Sequence, residues 1–246
     1  ERMEQLGEVL WMTTRLRIQP DPAAALSQAV ATLLQRALRH ADEVQQDVAP
    51  RGAVTAVHEF RKALRRARGI VAFVRPICAP ERHAHVSTLL RRAFRSTGAL
   101  RDSAVRLTLL EKLHQAAALD PLGPALHDAL GSERPTPQRT ALVLKAAAQL
   151  ATEALPVFQS ALDAAIDMDR LEVALARANR RVRRAFRLAR KSGADEAFHE
   201  WRKRLKDWRA VHEVIEEWGD TGPMNQCREL ATMTQRFGAL TDLILL

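Results

Sequence analysis

The sequence predicts an all-α protein built as two packed helical bundles, on three observations. Apolar residues recur at helical spacing through most of the 246 residues, and no alternating, strand-like segment competes with that pattern. One amphipathic stretch occurs twice, as HEFRKALRRARGIVAFV over 58–74 and HEWRKRLKDWRAVHEVI over 199–215. In it His58, Glu59, Arg61, Lys62, Leu64 and Arg68 recur as His199, Glu200, Arg202, Lys203, Leu205 and Arg209, while Phe60 becomes Trp201 and Arg65 becomes Lys206. A later marker keeps nearly the same offset: the GALRD of Gly98 to Asp102 returns as the GALTD of Gly238 to Asp242. The chain therefore reads as a duplicated helical unit, with 1–20 as an N-terminal extension, 21–134 as the first half and 135–246 as the second.

The elements follow in order. Residues 4–18 carry an apolar pattern that fits a short helix or a strand, and the pattern does not decide. Pro20-Asp21-Pro22 is a break in which Asp21 suits an N-cap and Pro22 a first helical turn. A helix to about Val48 follows, burying Leu26, Ala29, Val30, Leu33, Leu34, Ala37, Leu38 and Ala41, with Arg36, Arg39 and His40 near its far end. After the Pro50-Arg51-Gly52 turn comes the first motif helix, which stops before Pro76. At ~100° per residue it places His58, Arg61, Lys62, Arg65, Arg66 and Arg68 in one arc, opposite Val57, Phe60, Ala63, Leu64, Ala67, Ile70 and Val71.

Pro80 opens a further helix to about Thr97, with Arg91, Arg92 and Arg95 on it and Gly98 as its expected C-terminal cap. Another helix is expected from Asp102 to Leu119. The stretch 120–140, with four prolines and two glycines, is the one candidate boundary and falls between the two motif copies. Beyond it the pattern predicts helices at about 138–154, 156–167, 169–191, 194–218 and 224–246, broken at Pro156, Gly193, Gly219, Gly222 and Pro223.

Charge is distributed unevenly. Between 51 and 101 stand twelve Lys and Arg against two Asp and Glu, and between 170 and 209 fourteen against five. Those windows carry +10 and +9, the whole chain +9, and the remainder therefore −10. A surface serving only solubility mixes its signs, so this segregation points to a polyanionic partner. Two cysteines, Cys78 and Cys227, are too few for a disulfide framework and fit buried thiols in a reducing compartment, which favours the cytoplasm. No unbroken apolar run approaches ~18 residues, and nothing near Glu1 resembles a signal peptide.

The chemistry these residues offer is anion binding. The helix over 169–191 is read as gathering Arg177, Arg180, Arg181, Arg183, Arg184, Arg187, Arg190 and Lys191 on one side, with Val182, Ala185 and Phe186 behind them, and Arg outnumbers Lys in both basic windows. A planar guanidinium suits bidentate contact with phosphate oxygens better than an ammonium does. In the second motif copy His199, Arg202, Lys203, Lys206 and Arg209 lie opposite Trp201, Leu205 and Trp208. His58 and His199, each opening a basic face, are expected to donate to phosphate with affinity rising as pH falls. No metal site is expected, because a zinc-type helix needs a second His where this chain has Lys62 and Lys203.

Asp102 and Asp242 are expected to cap helices; the alternative is that each orients a neighbouring Arg or His. No nucleophile–base pair, Gly-rich phosphate loop or pair of acids argues for turnover, so the chain is read as non-catalytic and without a cofactor. The chain has no Tyr, and Phe60, Phe186, Trp201 and Trp208 fall on apolar helix faces. Such a surface reads phosphate without stacking bases, which favours a chain of phosphates over single-stranded nucleic acid.

The duplicated His-x-x-Arg-Lys helix, the Gly-x-x-Arg-Asp turn and the Arg-rich helix before the second His together resemble the CHAD family of histidine-marked α-helical domains, over about residues 22–246. The resemblance implies a pair of four-helix bundles related by an approximate two-fold, with basic faces lining a central channel or groove. It implies binding of inorganic polyphosphate, location on polyphosphate granules, and partnership with triphosphate-tunnel or other polyphosphate-metabolising enzymes. Carried over by motif, His58, Arg61, Lys62, Arg65, Arg66 and Arg68 would line one side of the channel and His199, Arg202, Lys203, Lys206 and Arg209 the other, with Arg180, Arg181, Arg184 and Arg187 from the helix before. Arg36, Arg39, Arg91, Arg92, Arg95, Arg101 and Arg177 complete the expected phosphate-contacting set from the other basic stretches. The copies differ at Asp207, which stands where the first has Arg66, and at Thr241 and Gln235 in place of Arg101 and Arg95. The alternative functions are contact with the backbone of RNA or DNA, a phosphohydrolase or phosphotransferase, and a scaffold for acidic proteins.

Overall fold

The computed structural model describes residues 21–46, 52–115, 135–162, 166 and 168–217. Among these every regular element is an α-helix: α1 (Pro22–Gln45), α2 (Gly52–Val74), α3 (Pro80–Ser96), α4 (Gly98–Gln115), α5 (Pro137–Ala161), α6 (Met168–Ser192) and α7 (Asp195–Glu217). The motif copies lie on α2 and α7. The segments expected over 4–18 and 224–246, most of the 120–140 break, the Gly238–Asp242 turn and Cys227 lie outside the described residues.

Local chemistry sets the helix ends. Asp21 caps α1, its Oδ1 accepting from the Ala24 N–H at 2.9 Å with Pro22 in the first turn. Thr136 caps α5 in the same way, through Oγ1 and the Arg139 N–H at 3.2 Å. Gly193 ends α6 with φ +64°, its N–H reaching the Ala189 carbonyl at 2.9 Å; a residue with a Cβ is strained in that left-handed conformation.

The structure corrects the sequence at three boundaries. Gly98 does not close α3: α3 ends at Ser96, the buried Thr97 forms the turn, and Gly98 is the first residue of α4, with the Arg101 N–H reaching back to the Thr97 carbonyl at 3.3 Å. Asp102 therefore lies inside α4 rather than at its cap, and its carboxylate pairs with the Arg101 guanidinium at 3.2 Å, both side chains exposed.

Pro156 does not break the helix it sits in, since α5 runs through it. Proline there forfeits one backbone hydrogen bond, but the side chain is exposed and apolar packing holds both sides. Leu144, Ala147, Ala148, Ala151 and Ala154 are buried before it, and Phe158 and Ala161 after it, all at helical spacing. α5 also has an 18-residue window of mean hydropathy 1.3, so by length and composition alone it is able to cross a membrane. Lys145, Gln149 and Glu153 interrupt that window, which is why no unbroken apolar run shows in the sequence.

The chain forms two compact units, and neither is one continuous stretch of sequence. One takes the described residues within 1–31, 66–87 and 157–246, the other those within 32–65 and 88–156. In the first, α6 buries Leu171, Ala174, Leu175, Val182, Phe186 and Ala189. The Phe186 ring lies 4.9 Å from that of the fully buried Trp201 on α7, centroid to centroid. In the second unit Phe60 is fully buried, with Val57, Ala63 and Leu64 on the same face of α2. Burying Phe60, or its counterpart Trp201, stabilises by roughly 1.5–3 kcal/mol.

The first unit also brings the two motif helices into contact. Gly69 on α2 approaches α7 so closely that an added Cβ would stand 3.3 Å from the Ala210 Cβ and 3.3 Å from the Asp207 Cα. His83 Nε2 meets the Val71 carbonyl at 2.9 Å, the Arg82 guanidinium donates to the Ser160 carbonyl, and the Ala79 N–H reaches the Ala161 carbonyl at 3.4 Å.

Candidate anion-binding site

Arg177, Arg180, Arg181, Arg184 and Arg187 recur three or four residues apart, opposite the face that α6 buries, so they rise from the helix as a ridge. With Arg75 and Pro76, just past the end of α2, they line an open hollow of about 620 Å³. None of its lining residues is a carboxylate. The Arg181 guanidinium is pushed below its ordinary pKa, first by desolvation, then by Arg204, Arg75 and Arg177, with Asp207 pulling the other way. Arginine keeps its proton regardless, so the crowding raises the free energy of the empty hollow, and an anion entering it lowers that energy.

Arg75, which sequence reasoning does not single out, stands between the end of α2 and Pro76. Its spacing of one heptad after Arg68 is the signal that the sequence offers for it.

In the same unit α7 mixes its signs. Arg204 pairs with Glu200 at 2.7 Å, Lys203 with Glu200 at 3.7 Å, and Arg209 with Glu213 at 2.8 Å. Glu213 also accepts from Arg66 of α2 at 2.9 Å. The scarcity of acids that the charge windows imply thus holds along the α6 hollow and fails on α7, where i,i+3 and i,i+4 spacing puts Glu200 and Glu213 beside the cations. His199 is exposed, and its pKa is lowered by desolvation, then by Lys203, Arg202 and Lys206 against Glu200. Arg202 and Lys206 are half-buried, as is Arg68 on α2.

In the other unit Arg61 leaves the solvent-facing arc. It is buried, donating from Nη1 to the Phe94 carbonyl and to Thr97 Oγ1, each at 2.8 Å, with its guanidinium 4.1 Å from the centre of the Phe94 ring. Arg65 stands 5.7 Å from the same ring. Lys62 pairs with Glu59 at 3.0 Å, repeating the Lys203–Glu200 pairing of the second copy. The His58 pKa is lowered mainly by partial desolvation; Glu59 raises it, while Lys62, Arg65 and Arg101 lower it. His58, Lys62, Arg65 and Arg101 are thus electrostatic neighbours, whereas Arg36 and Arg39 stand exposed on α1 and Arg91, Arg92 and Arg95 on α3.

Cys78 is half-buried, and burial pushes its thiol up to about 11, so it is inert near neutral pH. Among the described residues, no group of three or more His, Cys, Asp and Glu is placed to hold a metal ion.

A search of curated proteins finds no match to the chain. The family model for the CHAD domain matches residues 28–246. That match takes in both copies of the motif, the arginine ridge of α6 and nearly all of the described fold, and the chain belongs to the CHAD domain family.

Proposed function

We propose that this chain binds inorganic polyphosphate without turning it over, holding the phosphate chain on the arginine ridge of α6 together with the basic faces of its repeated helices. The observation that carries the reading is the hollow in which Arg75, Arg177, Arg180, Arg181, Arg184 and Arg187 meet with no carboxylate between them. Six forked donors in one concave space match a ligand that is anionic along its whole length. Phe60, Phe186, Trp201 and Trp208 are buried, so they offer no stacking platform and phosphate is favoured over nucleic acid bases.

The reading carries the arrangement expected from duplication: two four-helix bundles about an approximate two-fold, with motif faces turned toward a common basic channel. Gly69 and Ala210 support it, because they are equivalent positions of the two copies and they approach each other, as residues at a two-fold contact do. Placement on cytoplasmic polyphosphate granules and work beside triphosphate-tunnel or polyphosphate-metabolising enzymes belong to the same proposal.

The test is a titration with polyphosphates of defined length, alongside RNA and heparin of matched charge. The expected result is that polyphosphate binds tightest, with affinity falling steeply as salt rises. Equal affinity for all three polymers would leave only a generic cationic surface. Phosphate released during incubation with magnesium and polyphosphate would mark an enzyme instead.

A further inference from the structure

We infer that Glu213 is an internal counter-anion that withholds Arg66 and Arg209 from weakly charged ligands and so sets how strongly this face binds phosphate. The inference deepens the polyphosphate reading by naming a residue that limits affinity at the same basic faces. One oxygen, Glu213 Oε1, accepts from Arg66 Nη2 at 2.9 Å and from Arg209 Nε at 2.8 Å. Two guanidiniums converging on one anionic oxygen at charge-assisted hydrogen-bond length is the geometry that a phosphate oxygen would adopt with the same donors. Glu213 therefore occupies the place of a ligand atom.

The two copies differ here in a directed way. The first-copy equivalent of Glu213 is Ala72, and the second-copy equivalent of Arg66 is Asp207. Asp207 acts on Arg181, raising its pKa against the surrounding arginines. The second copy thus sets two carboxylates where the first has an arginine and an alanine. All three members of the Arg66–Glu213–Arg209 cluster are only half-buried, so a multivalent anion is able to reach them and displace the carboxylate. Such a ligand must outbid Glu213, and a long, densely charged chain does so while a single phosphate does not.

The experiment compares wild type with Glu213→Gln and with Glu81→Gln, an exposed α3 carboxylate whose removal makes the same change in net charge. Long-chain polyphosphate and heparin are titrated over a series of salt concentrations. Glu213→Gln is expected to bind roughly fivefold tighter or more. Its plot of log affinity against log salt should keep a slope within about one of wild type, because the long chain reaches both arginines in either protein. Glu81→Gln should stay within about twofold of wild type.

If Glu213→Gln binds no tighter than Glu81→Gln, or more weakly than wild type because the carboxylate aligns the arginines for ligand, the inference is overturned. If wild type fails to prefer polyphosphate over heparin, the ligand assignment fails, and the Glu213 inference is still decided by the ratio of the two variants on heparin. Should Glu213→Gln not fold, Glu213→Asp, one methylene short of both arginines, should show the same gain in smaller measure.

Discussion

At position 61 the motif and the fold compete for one side chain. Helical periodicity places Arg61 with the cations, yet its guanidinium lies under the Phe94 ring and bonds the end of α3. Its neighbour Lys62 stays exposed. Arg61→Ala should therefore cost stability, about 2–4 kcal/mol by urea denaturation, because it strips buried partners. Lys62→Glu should leave the midpoint nearly unchanged and weaken polyphosphate binding. The periodicity could not separate the two, since it fixes a direction around the helix and not what another helix brings to that direction.

Histidines divide similarly. His212 is buried against Trp208, ring centroids 4.5 Å apart, and burial lowers its pKa to about 4. A group lowered on folding adds stability above its unfolded value, and that stability is lost as pH falls from 6.5 toward about 4. By pH 5 the loss amounts to roughly 2 kcal/mol, and His212→Leu should flatten it in thermal melts run across that range. His58 and His199, also lowered, are exposed among cations. Phosphate beside either ring favours the imidazolium, so affinity should rise as pH drops from 7.5 to 5.5, and the His58→Ala/His199→Ala pair should remove most of that rise.

Among the elements, helix positions are legible from apolar spacing, and the departures lie at Pro156 and Gly98, where the sequence leads one to expect a stop. Pro156 sits on the exposed side of α5 while buried alanines, Leu144 and Phe158 line the other, so packing overrides the local penalty. Pro156→Ala should raise stability by about 1–3 kcal/mol, read as a shift in denaturation midpoint, since the backbone bond is regained without loss of a core contact. Gly98 departs from expectation for a related reason: it follows a buried threonine that already makes the turn, leaving the glycine to begin the next helix. The close approach of α2 and α7 at Gly69 was not legible, because a glycine within a helix pattern does not name the surface it meets.

For the molecule as a whole, duplication and segregated charge were visible in the residues, and the arginine hollow was half visible. Its α6 wall follows from spacing along one helix, whereas Arg75 joins it only through tertiary packing. The acids that temper the second copy were also in plain sight, but only the packing of α2 on α7 brings Glu213 to Arg66. The central claim is that a phosphate chain occupies the hollow. Calorimetric titration of long-chain polyphosphate into wild type, Arg180→Glu/Arg184→Glu and the exposed α5 variant Arg139→Glu tests it most directly. The account predicts at least about a tenfold loss for the double reversal and less than about twofold for Arg139→Glu; equal losses in both variants, or no heat of binding from wild type, would contradict it.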